Sequence, residues 1–472
     1  MTDVTPVLSG SPLLIERVKR PFQRFAKTES SGGIVLLVCT VLALGWANSP
    51  WAESYHQLWE ITFTIGVPGR GLTLSLHHWI NDGLMAVFFL LVGPEIKREM
   101  LVGELASARQ AALPIAGAIG GVVVPAVIYA ALNAGGLGAA GWGIPMATDI
   151  AFALGVVALL GPRVPLGLKV FLAALAIVDD IGAVLVIAFF YTESVSVTAL
   201  GIGAVLLAAL ALCNVAGVRH TAVYALLGVG LWGAFLASGV HATIAGVLLA
   251  MTIPARTRIN EDEFLARGRA ILDAFEQSCS PATTVLTNDG QQHAIHELEV
   301  ACEHAQAPLL RMEHGLHGIV AFGIMPLFAL ANAGVHFGND LLAGLSLPVT
   351  TGVIFGLLIG KPIGIGVAAW LAVRAGLASL PTGARWSSLI GVSCLAGIGF
   401  TMSIFIAGLA FPASPELLDS AKTGILIASL SAGLLGWMFL RQGAPVASRP
   451  GRGEAPDGAT HGPGAGRPSS AG

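Results

Sequence analysis

LAALAIVDDIGAVLVIAFF, residues 172–190, decides how the rest of this chain is read. A helix needs about 20 residues to cross a hydrocarbon layer, and this run approaches that length with Asp179 and Asp180 as its only charges. An ionisable group in mid-membrane costs several kcal/mol, so each is a functional candidate by default. Neighbours on a helix project about 100° apart, so the two acids cannot both face lipid, and at least one must face a wet or paired interior. Adjacent carboxylates titrate as a coupled pair, and a monovalent cation can take a proton's place as the compensating charge. The plainer reading, a structural ion pair, suits one lone Asp better than two in succession.

The chain of 472 residues is 54% hydrophobic and 11% charged, a membrane composition. Apolar runs near 32–48, 80–101, 112–132, 140–160, 166–191, 197–216, 221–237, 239–254, 316–337, 349–374, 386–411 and 421–441 predict an all-α, polytopic membrane protein of about twelve transmembrane helices. Its partner is thus the lipid bilayer. A formal net charge of -3, without a basic stripe carrying interleaved aromatics, argues against nucleic acid. The five cysteines are scattered with no CxxC pair, which predicts neither a disulfide framework nor a metal site. Sixty glycines suit close helix packing, within one chain or across a homodimer equally.

Of the 25 Lys and Arg residues, all but Arg70, Lys422 and the intramembrane Lys361 fall on the side of the N-terminus. Positive charge marks the cytoplasmic side, so both termini are predicted there. Residues 1–31 form a basic cytoplasmic segment without the apolar core of a signal peptide. The transmembrane domain is placed at 32–441, with a long cytoplasmic connection at about 255–315. Within it, 260–277 reads as an amphipathic helix opened by acids and 278–292 as turn-rich. The Gly, Pro, Ala and Ser of 442–472 predict a disordered cytoplasmic tail.

Beyond the Asp pair, the intramembrane charges are Asp82, Asp149 and Lys361. Lys361, in VIFGLLIGKPIGIGVAAW, needs a carboxylate partner if buried. Two spans in similar positions carry backbone breakers: Gly141, Gly143 and Pro145 before 146–149, and Gly397 and Gly399 before 400–403. Such paired interruptions point to a transport site, although a simple kink explains either one alone.

Through ATDIAFALGVVALLG (147–161), LKVFLAALAIVDDIGA (168–183), SGVHATIAG (238–246), PLFALANAGV (326–335), LLIGKPIGI (357–365) and GIGFTMSIFIAGLAF (397–411), the chain resembles the NhaA family of bacterial Na+/H+ antiporters. The resemblance implies an inverted repeat with two broken helices crossing at the midplane. It implies that Asp180 is the main Na+ and proton carboxylate, Asp179 its gating neighbour, and Lys361 the partner of Asp179. Thr148 and Asp149 would sit at the first break, with Asp149 balancing helix N-termini and Lys361 balancing C-termini. The implied activity is electrogenic export of Na+, and of Li+, against entering protons by alternating access, in the bacterial inner membrane. It needs no cofactor and makes the chain a transporter rather than an enzyme. Glu95, Arg98 and Glu99, with Glu313, His314 and His317, resemble the family's cytoplasmic pH-sensing cluster, although a solvated helix end is their plainer reading. Asp82 and His241 are accessory candidates, His241 equally a packing residue. Gly318, Pro94 and the long connection depart from the family pattern and bear on the pH response more than on transport.

Two other functions use similar ingredients. An intramembrane aspartyl protease needs two facing Asp residues from different helices, which the adjacent pair does not supply, and no GxGD sequence is present. A sodium-coupled symporter on the same fold would show substrate-dependent sodium uptake.

Overall fold

The computed structural model describes residues 31–66, 71–192, 195–279, 284–336, 344–381 and 383–442. The segment 1–30 and the predicted tail from 443 lie outside the described residues. Helix α1 (Ser31–Ala47) meets the short amphipathic α2 (Ala52–Glu60) at a bend of 113°. A hairpin of β1 (Thr62–Ile65) and β2 (Leu72–Ser75) follows, with Thr64 opposite Thr73 and their hydroxyls 2.8 Å apart. No strand is foreseen by the apolar pattern, because four-residue exposed strands make no periodic signal.

Helix α3 (Leu76–Val102) opens through a π-helical turn at Trp79–Leu84. Helix α4 (Ala108–Leu132) starts at Ser107, whose hydroxyl accepts the Gln110 N–H. A 3-10 arm (Leu137–Met146) and α5 (Ile150–Leu160) share one span, interrupted at 147–149. Then come α6 (Leu166–Phe190), α7 (Val197–Val215) and α8 (Thr221–Ser238). Gly239 ends α8 in the left-handed region at φ 81°, and residues 240–243 turn before α9 (Ile244–Thr252). The apolar run at 239–254 therefore yields a helix of only nine residues, well short of the roughly 20 that cross a bilayer alone.

In the connection, Asn260 caps α10 (Glu261–Gln277), where the sequence places a helix. A second helix, α11 (Asp289–Ala305), starts inside the stretch expected to be turns. Its inward stripe is thin, with Ala294 and Ala301 buried among many polar residues, so its periodicity is weak. Next, α12 (Pro308–Asn332) begins ahead of the apolar run that marks it, through a polar first half. It is followed by α13 (Pro348–Arg374), α14 (Trp386–Ala396), α15 (Phe400–Ala410) and α16 (Pro415–Gln442). Helices α14 and α15 meet at 44°. Among the described residues, nine helices are long and apolar enough to cross a membrane, or up to 11 if each bent pair is one span. This is an all-α, multi-pass architecture.

Most of α14 and α15 is buried, and Thr148 and Asp149 bond to the break between them. Helices α4 and α13 pack closely. A Cβ on Gly120 or on Gly364 would run into the other's carbonyl, so the two backbones touch.

Candidate functional site

The interruption at 147–149 and the one at 397–399 are joined by hydrogen bonds. The Asp149 N–H donates to the Ile398 carbonyl at 2.6 Å, and the Thr148 hydroxyl lies 2.9 Å from the Ala396 carbonyl. Ser403 of α15 donates to the Ile144 carbonyl of the 3-10 arm at 2.8 Å. Backbone groups freed where helical bonding stops thus find partners in the opposite break, as a low-dielectric interior demands.

Asp149 caps α5: its Oδ1 accepts the Phe152 N–H at 3.1 Å. Its Oδ2 accepts from the backbone N–H of Thr401 at 3.1 Å and from the Thr401 hydroxyl, in the first turn of α15. One carboxylate therefore serves two helix N-termini, each carrying about half a positive charge. The Phe400 N–H of α15 is taken by the Ser429 hydroxyl of α16 at 3.1 Å.

Lys361 begins the α-helical part of α13 after a π-turn at Gly356–Gly360. Its ammonium lies 2.8 Å from Asp179 Oδ2, and both side chains are fully buried. It also donates to the Met146 carbonyl at the C-terminal end of the 3-10 arm. The Thr148 hydroxyl lies 2.6 Å from the same Asp179 oxygen. The carboxylate of Asp179 is thus held by an ammonium and a hydroxyl.

Asp180, the next residue, is 1% exposed, and neither of its carboxylate oxygens has a hydrogen-bond partner among the described residues. Asp179 Oδ1 is likewise unpartnered. Val92 and Ile96 of α3 pack with Ile177, a turn before Asp180 on α6. Unpaired carboxylate oxygens in an apolar interior are costly. This arrangement can hold a proton or a small cation, because either supplies the missing positive partner.

Of the remaining candidates, Glu95 is near enough to Asp180 for their charges to interact, and the others make their contacts elsewhere. Arg98 pairs with Glu313 across α3 and α12 at 3.2 Å, and approaches Glu99 at 3.9 Å. Lys97, which the sequence did not single out, donates to the Met251 and Ile253 carbonyls at the end of α9. Glu95 lies on the same end of α3, half-buried. His314 and His317 are exposed and stand outside these contacts; His314 Nδ1 bonds the Leu310 carbonyl of its own helix at 2.9 Å. The MEHGLHG similarity thus brings Glu313, and not the histidines, to Arg98. His241 Nε2 donates to the Tyr191 carbonyl at 2.8 Å, and the Asp82 carbonyl accepts from the Trp232 indole at 2.9 Å. The sequence marks 400–403 as the stretch after the Gly397 and Gly399 break but assigns no role to Thr401 or Ser403, and it gives no sign of Ser429, because hydroxyls are common in membrane helices.

A family model described as Na+/H+ antiporter 1 matches residues 23–440. A protein of Oleidesulfovibrio alaskensis named Na(+)/H(+) antiporter NhaA is 53% identical over 432 residues, covering 92% of this chain and 96% of its own length. The chain belongs to the NhaA family. An NhaA of Koribacter versatilis is 50% identical over 454 residues, covering 95% of this chain and 98% of its own, and an NhaA 1 of Saccharophagus degradans is 49% identical over 428 residues, covering 90% and 92%. The NhaA relatives are named as antiporters, which are transporters and not enzymes. Membership and the apolar helices together make this NhaA member a multi-pass membrane protein.

Proposed function

We propose that the protein exchanges Na+ for H+ at Asp180, with Asp179, Lys361, Thr148 and Asp149 holding the site. The observation that carries this reading is the contrast within the pair: Asp179 is tied to Lys361 and Thr148, whereas both oxygens of Asp180 are buried and without a partner among the described residues. A proton neutralises Asp180 in one half of the cycle and Na+, or Li+, in the other. Competition for one carboxylate couples the two movements, because loading either ion expels the other. Asp149 offsets the N-termini of α5 and α15, and Lys361 faces the C-terminal end of the 3-10 arm, so the breaks stay together while access alternates. Export of Na+ against entering protons across a bacterial inner membrane, electrogenic and pH-regulated with both termini cytoplasmic, follows the family resemblance. pH control is assigned to the cluster of Glu95, Arg98, Glu99, Glu313, His314 and His317, in which Arg98 pairs with Glu313.

The test is sodium-induced collapse of an imposed proton gradient in inside-out vesicles, from mildly acidic to mildly alkaline pH. The parent is expected to respond to Na+ and Asp180→Asn to lose the response while remaining folded and inserted. Exchange by Asp180→Asn near the parent rate would refute the assignment, and a response that needs an added organic substrate would favour a symporter.

A further inference from the structure

We propose that the groove between the starts of α4 and α6 and the loop after α13 binds the head group of an anionic phospholipid. The groove has a volume of about 710 Å³ and mixed walls. Leu113, Leu166, Val170 and Phe171 supply apolar surface, while Arg109 and Gln110 supply polar groups. It opens where apolar spans end: Ala108 and Leu166 are first residues of their helices, and Leu166 is 76% exposed. A site at this level meets head groups and the first carbons of acyl chains together.

Charge selects the occupant. Arg109 is the basic residue of the lining, and the segments that form the groove carry four more cations within a few residues in sequence: Arg163 and Lys169 on either side of Leu166, and Arg374 and Arg385 on either side of the 379–381 loop. Among the described residues none of these five cations forms an ion pair, and Glu104 is the one acid in the lining. The guanidinium of Arg374 lies 5.4 Å from the Trp370 ring centroid, an Arg and Trp pairing suited to a membrane boundary. No side chain caps the N-terminus of α6, which leaves its positive end facing the same region. A zwitterionic head group gains little from this excess of positive charge, and a free phosphate leaves the apolar wall uncovered. A phosphodiester bearing acyl chains satisfies both.

The probe is phosphatidylglycerol, measured by its retention on the purified full-length protein and by melting temperature in phosphatidylglycerol against phosphatidylcholine. The parent is expected to retain phosphatidylglycerol preferentially and to melt higher in it. Arg109→Glu with Lys169→Glu is expected to lower that retention by about tenfold or more, with melting in phosphatidylcholine unchanged. Should the reversed pair fail to fold, Arg109→Gln with Lys169→Gln is read in the same assay and is expected to lose a smaller part of the preference. Unchanged retention in the folded variants overturns the proposal. So does an equal loss in the control Arg267→Glu with Arg269→Glu on α10, which marks general attraction, or competition by glycerol phosphate as effective as that of the whole lipid.

Discussion

Lys361 and Asp179 share a fully buried ion pair, so removing one partner strands the other charge. Lys361→Met is expected to lower stability by about 3–5 kcal/mol, seen as a fall in melting temperature in detergent. Adding Asp179→Asn should recover a large part of that loss, because the second change removes the stranded carboxylate. If the double variant melts no higher than Lys361→Met alone, the two residues do not act as a pair. The ionisable members of this centre were readable from the chain, since Asp149, Asp179, Asp180 and Lys361 each interrupt an apolar run. Their division of labour was not readable from spacing: that Asp179 is bonded and Asp180 is not depends on where α13 delivers Lys361.

That delivery belongs to the helices. The α4 and α13 backbones touch at Gly120 and Gly364, one turn from Lys361. Gly364→Ala is expected to cost about 1–3 kcal/mol by overpacking, whereas a Cβ on Gly366 of the same helix meets nothing within 4 Å, so Gly366→Ala should leave stability near the parent value. Equal melting temperatures for the two variants would show that the close approach is not maintained. The twelve apolar runs each contain helix, but period and hydropathy could not reveal that Gly239 cuts the run at 239–254 to nine residues, or that α11 stands in a polar stretch. Those outcomes depend on a positive φ and on tertiary contact. One such contact titrates. His304 Nε2 lies 3.1 Å from the Arg258 guanidinium, and burial, then Arg258, holds its pKa below the usual imidazole value. The unfolded segment therefore takes up a proton first as pH falls, so this contact stabilises above the ordinary His range, about pH 6.5, and is lost below it. Amide exchange at 258–259 and 304, corrected for intrinsic rate, should quicken at lower pH in the parent and change less in His304→Gln.

At the scale of the molecule, α10 and α11 form a unit set on the long connection between α9 and α12. Its two ends lie side by side: the Arg258 N–H donates to the His304 carbonyl at 2.9 Å, and Arg311 pairs with Glu303 at 3.2 Å. Joining the chain across this root with a short linker is expected to preserve Na+-dependent proton movement, since the exchange centre is built from other helices. Loss of that movement in a folded, inserted deletion variant would make the unit part of the transport machinery. The tie between Lys361 and Asp179 also bears on electrical driving force. If Asp180 alone swapped one proton for one sodium ion, the loaded carrier would have the same charge in both directions, and the cell's voltage would exert no pull on the cycle. An exchange of two protons per sodium ion would carry charge, and the Lys361 and Asp179 pair, fully buried next to Asp180, is where a second proton would be held, so the voltage such a cycle could use would follow from whether that pair gives up a proton in each turn.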